Sequence, residues 1–188
     1  MAKAVDQIDW KKLRARIESQ DKKILISLIK DLFELSTGNR DFLGARYTDG
    51  GLKQYKRMVS EAIYPDFMNN RHARIDFSRA RKALSDFKRA CSDAEQILDL
   101  MLHYVEIGTR QANDISIDYE SYYASLESMF SSVVKILNGK EKKYLAHFLP
   151  RLRKIVKTAT DAYGYRDTLE EQLEDLTGEI NEHDANCK

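Results

Sequence analysis

Ile97-Leu98-Asp99-Leu100-Met101-Leu102-His103-Tyr104-Val105-Glu106-Ile107 is the segment whose reading decides the fold. Its apolar side chains are too dense for a single helical stripe, and they do not alternate with period two. A helix that is apolar on most sides packs against more than one neighbour, so this segment is expected at the centre of a helical core. Asp99, His103, Glu106 and Arg110 interrupt it along one stripe, at intervals that bring them to the same face.

Outward from this helix the same period recurs on both sides. Ser92 and Glu95 form a capping-box signature for its start. Upstream, Phe77, Ala80, Leu84 and Phe87 mark a fifth helix, and Leu52, Tyr55, Met58, Val59, Ala62 and Ile63 a fourth that ends near Pro65. Residues 66–74 read as a loop. Before them, Asn39 is expected to cap a short helix through Tyr47. Ile24, Leu25, Leu28, Ile29, Leu32, Phe33 and Leu35 face away from Ser27, Lys30, Asp31 and Glu34 in a second helix ending near Gly38. Trp10, Leu13 and Ile17 suggest a first.

Downstream, Asp118 is expected to cap a seventh helix running from Tyr119 through Leu137 to Gly139, with Ser121, Ser125, Ser128 and Ser132 on its other flank. Two more follow, through Leu149, Leu152, Ile155 and Val156, and through Leu169, Leu173, Leu176 and Ile180, the last opened by a second capping box at Asp167 and Glu170. Ile115, Ile117 and Tyr119 come closest to strand alternation, beside a helix start. The fold class is all-α: about eight or nine helices in a bundle or a short stack of antiparallel hairpins. The diagnostic residue pattern of tetratricopeptide repeats is missing. With 188 residues one core is feasible, giving a single domain over 1–182 and a loose tail over 183–188.

Lys plus Arg number 31 against 30 Asp plus Glu, so attraction to a polyanion or a membrane has to be local. No stretch approaches the length of a membrane span, and no secretory signal is legible at the N-terminus. Cys91 and Cys187 are far apart in sequence and read as free thiols, with the cytoplasm as the expected compartment.

Several further stretches carry a family resemblance: Asp31-Leu-Phe-Glu-Leu-Ser36, Asn39-Arg-Asp-Phe-Leu-Gly-Ala-Arg-Tyr47, Ala80-Arg-Lys-Ala-Leu-Ser-Asp-Phe-Lys88, Leu98-Asp-Leu-Met-Leu-His-Tyr-Val-Glu-Ile-Gly-Thr109, Leu126-Glu-Ser-Met-Phe130 and Leu149-Pro-Arg-Leu152. Together they resemble an uncharacterised bacterial helical family, a domain of unknown function. The resemblance implies one helical domain and carries no activity to any residue.

Three sites follow from residue types. Asp99, His103, Glu106 and Arg110 are candidates for a polar cleft, read otherwise as a solvent face with Asp99–His103 and Glu106–Arg110 pairs along the helix. A helical di-metal site needs Glu-x-x-His on two helices, whereas only the reversed His103-x-x-Glu106 occurs, so neither metal nor cofactor is expected. Arg71, Arg74, Arg79, Arg81, Lys82, Lys88 and Arg89 are candidates for nucleic-acid contact, with a second basic group at Arg151, Arg153, Lys154 and Lys157. Tyr119, Tyr122, Tyr123, Tyr163 and Tyr165 read mainly as core, with Tyr163 and Tyr165 the more exposed pair. No nucleophile elbow and no phosphate-cradling glycine loop announces an enzyme. The leading expectation is a non-catalytic protein–protein interaction module that binds a partner or itself. The alternatives are nucleic-acid association through the basic patch, and an enzyme or ligand-binding protein using the polar cleft.

Overall fold

In a computed structural model that describes residues 9–48, 50–69 and 72–185, with side chains as far as 178, the chain is helical almost throughout. The helices are α1 (Trp10–Glu18), α2 (Lys22–Leu35), α3 (Thr37–Tyr47), α4 (Gly51–Ile63), α5 (Phe77–Ala90), α6 (Ala94–Asp114), α7 (Glu120–Asn138), α8 (Leu145–Thr158) and α9 (Tyr165–Ala185). Among the described residues there is no strand, and the fold is all-α. Residues 186–188, Cys187 among them, lie outside those described.

Successive helices fold back as hairpins. Tyr55 of α4 packs on Phe87 of α5 while Glu61 meets Arg79, so the two run antiparallel. On α6 and α7, Tyr104 pairs with Ser125 and Tyr122 donates to the Gly108 carbonyl, again in opposite order. A Cβ on Gly108 would collide with the Leu126 side chain, so glycine is what lets these helices approach so closely.

Between hairpins the order is parallel. Lys56 and Ser60 of α4 meet Asp99 and His103 of α6 in the same sequence. On the other side of α6, Glu95, Glu106 and Asn113 meet His147, Arg151 and Thr158 of α8 in turn. Side-by-side parallel first helices with antiparallel second helices describe a stack of hairpins, which settles the choice between bundle and stack. Helix α6 sits in its middle, touching α4, α5, α7 and α8. Leu98, Leu100, Leu102, Tyr104 and Val105 are shut off from solvent there.

The helix starts differ from those expected. Asp93, not Ser92, caps α6, accepting from the backbone N–H groups of Glu95 and Gln96. Ser36 caps α3, so α2 stops at Leu35 and Gly38 lies inside the next helix. Asn39 instead donates its side-chain amide to the Leu32 carbonyl across the α2–α3 corner. Asp118 does not cap α7, whose N-cap Tyr119 makes no side-chain bond; the Asp118 carboxylate accepts from the Tyr163 hydroxyl at 2.7 Å. Helix α9 starts at Tyr165, which leaves Asp167 inside its first turn. For α3, α6 and Asp118 a neighbouring Ser, Asp or tertiary donor competed for the same role, and sequence spacing does not rank such competitors.

The N-terminal end is built unlike the rest. Helices α1, α2 and α3 bury no residue completely. Helix α3 packs on α4 and α5, whereas α2 is held chiefly by α3.

Candidate functional site

The polar stripe of α6 is enclosed by its two parallel neighbours. Asp99 accepts from Lys56 Nζ at 2.7 Å and from Arg151 Nη1 at 2.6 Å. Arg151 also forks onto Glu106, Nε to Oε1 at 2.9 Å and Nη2 to Oε2 at 2.8 Å. The expected Asp99–His103 and Glu106–Arg110 pairs along the helix are therefore replaced by partners on α4 and α8. Arg110 turns outward to Asp114 and over the Tyr64 ring.

Two cations meet two anions in this cluster, so it is neutral within itself. Burial works against the Asp99 carboxylate, yet hydrogen bonds from Lys56 and Arg151 outweigh burial and hold its pKa below the ordinary value. Burial likewise opposes the Arg151 charge, and the bonds to Glu106 and Asp99 more than restore it. The arrangement clamps α4, α6 and α8 to one another and leaves no charge unmatched for a ligand. Among the described residues no group of three or more His, Cys, Asp or Glu side chains is placed to hold a metal ion.

His103 has a more suggestive neighbour. Ser60 Oγ lies 2.8 Å from its Nε2, and the Lys56 carbonyl lies 3.2 Å from the same nitrogen. A carbonyl can only accept, so the contact to Lys56 is a hydrogen bond in the tautomer with the proton on Nε2, whereas the shorter contact to Ser60 forms in either tautomer. With the proton on Nε2 the ring donates towards both oxygens; with it on Nδ1 the Ser60 hydroxyl donates to Nε2. Burial, and next the Lys56 ammonium, keep the His103 pKa below its usual value, so the ring is neutral at pH 7.

A cleft of about 410 Å³ continues past the clamp, lined by Glu106, Thr109, Arg110, Asn113, Lys154 and Thr158. Most of its polar groups already have partners: Glu106 is held by Arg151, Thr109 by the Tyr165 hydroxyl at 2.7 Å, and Asn113 donates to the Thr158 carbonyl at 2.8 Å.

The basic candidates do not form one free patch. Arg71 lies outside the described residues. The other six are all exposed, but Arg79 meets Glu61, Arg81 donates to Ser125 on α7, and Lys82 pairs with Asp86. In the second group Arg151 is turned inward, while Arg153, Lys154 and Lys157 stay on the surface. The tyrosines divide: Tyr122, Tyr123 and Tyr165 are buried, and Tyr119 and Tyr163 remain open. Tyr165 thus corrects the expectation of an exposed pair, because the turn at Tyr163 and Gly164, both at positive φ, swings it under α6.

What residue types alone did not single out is the face of α2. Ile24, Ile26, Leu28, Ile29, Leu32, Phe33 and Leu35 are each between 40% and 76% exposed, and Trp10 and Leu13 of α1 are open as well. The period that marks α2 as amphipathic was legible; that none of the described residues covers its apolar side was not.

Among the described residues no helix is long and apolar enough to cross a membrane. No curated protein and no solved structure matches the chain. The family of unknown function DUF6155 matches residues 5–176, so the sequence segments that carried the resemblance fall within one family match, and the chain belongs to that family.

Proposed function

We propose that the protein is a non-catalytic helical interaction module of a bacterial cytoplasm, and that the apolar face of α2, with α1 beside it, is where another polypeptide docks. The observation that carries this reading is the contrast along one chain. Helices α4 to α9 bury their apolar faces, whereas α2 leaves its large apolar side chains open. At about 200 Å² for a fully exposed large side chain, the fractions on α2 amount to roughly 700 Å². The largest apolar patch on a typical monomer is about 300–600 Å², and a stable complex covers about 800 Å² per partner.

The polar cleft is the weaker site, because its charges compensate one another and most of its polar groups are already paired within the molecule. The basic patch is weaker too, with half of its described members paired at the surface with the protein's own side chains.

A photo-crosslinking residue placed at Ile29 in the native host, with Lys30 on the polar face as the control, tests the reading. A discrete protein adduct from position 29 and none from position 30 is expected. No adduct from either position, or equal smears from both, contradicts it.

A further inference from the structure

We infer that the cavity between α5 and α7 is a second binding site, which takes the diphosphate group of a small molecule against Arg81 and the hydroxyl row of α7. It lies apart from α2 and does not depend on what docks there.

Helices α5 and α7 run parallel: Phe77 packs on Tyr122 and, one turn on, Arg81 donates to Ser125 Oγ at 3.0 Å. The cavity alongside has a volume of about 500 Å³ and is lined by Arg81 and by Ser121, Ser125, Ser128 and Ser132 of α7. No carboxylate among the described residues lines it, whereas the cleft beyond the clamp includes Glu106 and Asp114. Of the carboxylates on the two helices, Asp86 is held by Lys82 at 2.6 Å, and Glu120 and Glu127 lie on the other flank of α7.

A count of donors and acceptors gives the cavity its character. Tyr104 is shut off from solvent, and among the described residues Ser125 is the hydrogen-bond partner of its hydroxyl, at 2.8 Å. A buried phenol needs an acceptor for its proton, so Tyr104 donates to Ser125 Oγ. Arg81 can only donate, and it donates to the same oxygen. Both lone pairs of Ser125 are thereby filled, and its own proton has no acceptor among the described residues. Arg81 is left in a similar state, because a neutral hydroxyl does not match its charge and its remaining N–H groups stay free. Ser132 differs, since it donates back to the Ser128 carbonyl. A cation and a hydroxyl that can only donate therefore face the cavity, and the group that completes them is an acceptor with negative charge.

The geometry selects phosphate. Donors approach from both helices, which suits the three oxygens of a phosphoryl group better than the two of a carboxylate. Ser121, Ser125 and Ser128 climb about 10 Å along one face of α7, more than one phosphoryl group spans. Lys88 follows Arg81 two turns on along the same edge of α5, level with Ser132 by the offset that sets Arg81 against Ser125. Partial burial lowers the Lys88 pKa, with no carboxylate offsetting it. No aromatic ring lines the cavity, so it offers nothing on which a nucleic-acid base stacks.

Isothermal titration calorimetry of the full chain with inorganic pyrophosphate, at fixed ionic strength, tests the site. Saturable one-to-one binding is expected. Arg81→Gln is expected to weaken it about tenfold or more, and Ser125→Ala about threefold or more. Arg81 is exposed, so its variant is expected to keep the helical circular dichroism of the parent. Lys82→Gln removes the same charge a quarter turn away from Arg81 and is expected to leave the affinity within about twofold. A nucleoside diphosphate that binds as well as pyrophosphate marks an esterified ligand, and binding of pyrophosphate alone marks the free anion; both support the site. No saturable binding, equal weakening by Arg81→Gln and Lys82→Gln, or binding of a single-stranded oligonucleotide in place of pyrophosphate overturns it.

Discussion

Arg151 holds Glu106 through two parallel hydrogen bonds while a third donor of the same guanidinium holds Asp99, so one side chain of α8 spans two turns of α6. Such a fork fits guanidinium geometry and does not fit an ammonium. Arg151→Met is therefore expected to cost about 2 kcal/mol, because it leaves two half-buried carboxylates short of a partner. Arg151→Lys should recover less than half of that. Urea denaturation reads both, and equal stability of Lys and Met variants with the parent would show that the clamp contributes nothing.

His103 gives the protein a defined response to acid. Its folded pKa is lowered, first by burial and then by Lys56, whereas in the unfolded chain it is near the ordinary value of about 6.5. The unfolded state therefore binds the proton more readily. Stability is full above about pH 6.5, falls as pH drops below it at no more than about 1.4 kcal/mol per unit, and stops falling below the folded value. Denaturation midpoints at several pH values should show this loss in the parent and not in His103→Gln, which keeps a donor for the Lys56 carbonyl. An identical pH profile for both would remove His103 as the cause.

Thr109 and Tyr165 share a buried hydroxyl pair at 2.7 Å between α6 and α9. Burial drives the Tyr165 phenol pKa upward, so it stays neutral. Tyr165→Phe strands the Thr109 hydroxyl and is expected to cost about 1–2 kcal/mol, while adding Thr109→Val removes both polar groups and should cost less than the two single changes summed. Additive losses in a thermal double-mutant cycle would contradict this pairing.

Gly108 faces Leu126 where α6 and α7 come closest. Gly108→Ala is expected to destabilise by about 1–3 kcal/mol through overpacking, and Leu126→Ala in the same chain to relieve part of that strain. If Gly108→Ala folds with the stability of the parent, the helices do not need the glycine.

The helices were legible because each repeats its apolar residues at helical spacing, and from α4 onward that face is turned to the core, as with Leu98 to Val105 and Tyr122 to Leu137. Caps were less legible, since Ser92 and Asp93 compete within one residue and it is the Asp93 carboxylate that takes the free backbone N–H groups. The clamp was half legible. Asp99, His103 and Glu106 stood out on an apolar helix, but Lys56, Ser60 and Arg151 look like ordinary surface residues of their own helices. A signal did exist: Lys56–Asp99 and Ser60–His103 are both 43 residues apart, the constant offset that parallel stacked helices produce. The α2 face could not be recognised from its own residues, because a covered apolar stripe and an uncovered one have the same period.

Amide hydrogen exchange across Lys22–Leu35, read on the full chain as isolated from its host and again after dilution, tests most directly whether this face is covered by a docked polypeptide. The account expects exchange at least about tenfold slower in the concentrated assembly than after dilution, with Leu98–Val105 protected in both. Exchange across α2 that is fast and equal in the two conditions, as for a helix open to water throughout, would contradict it.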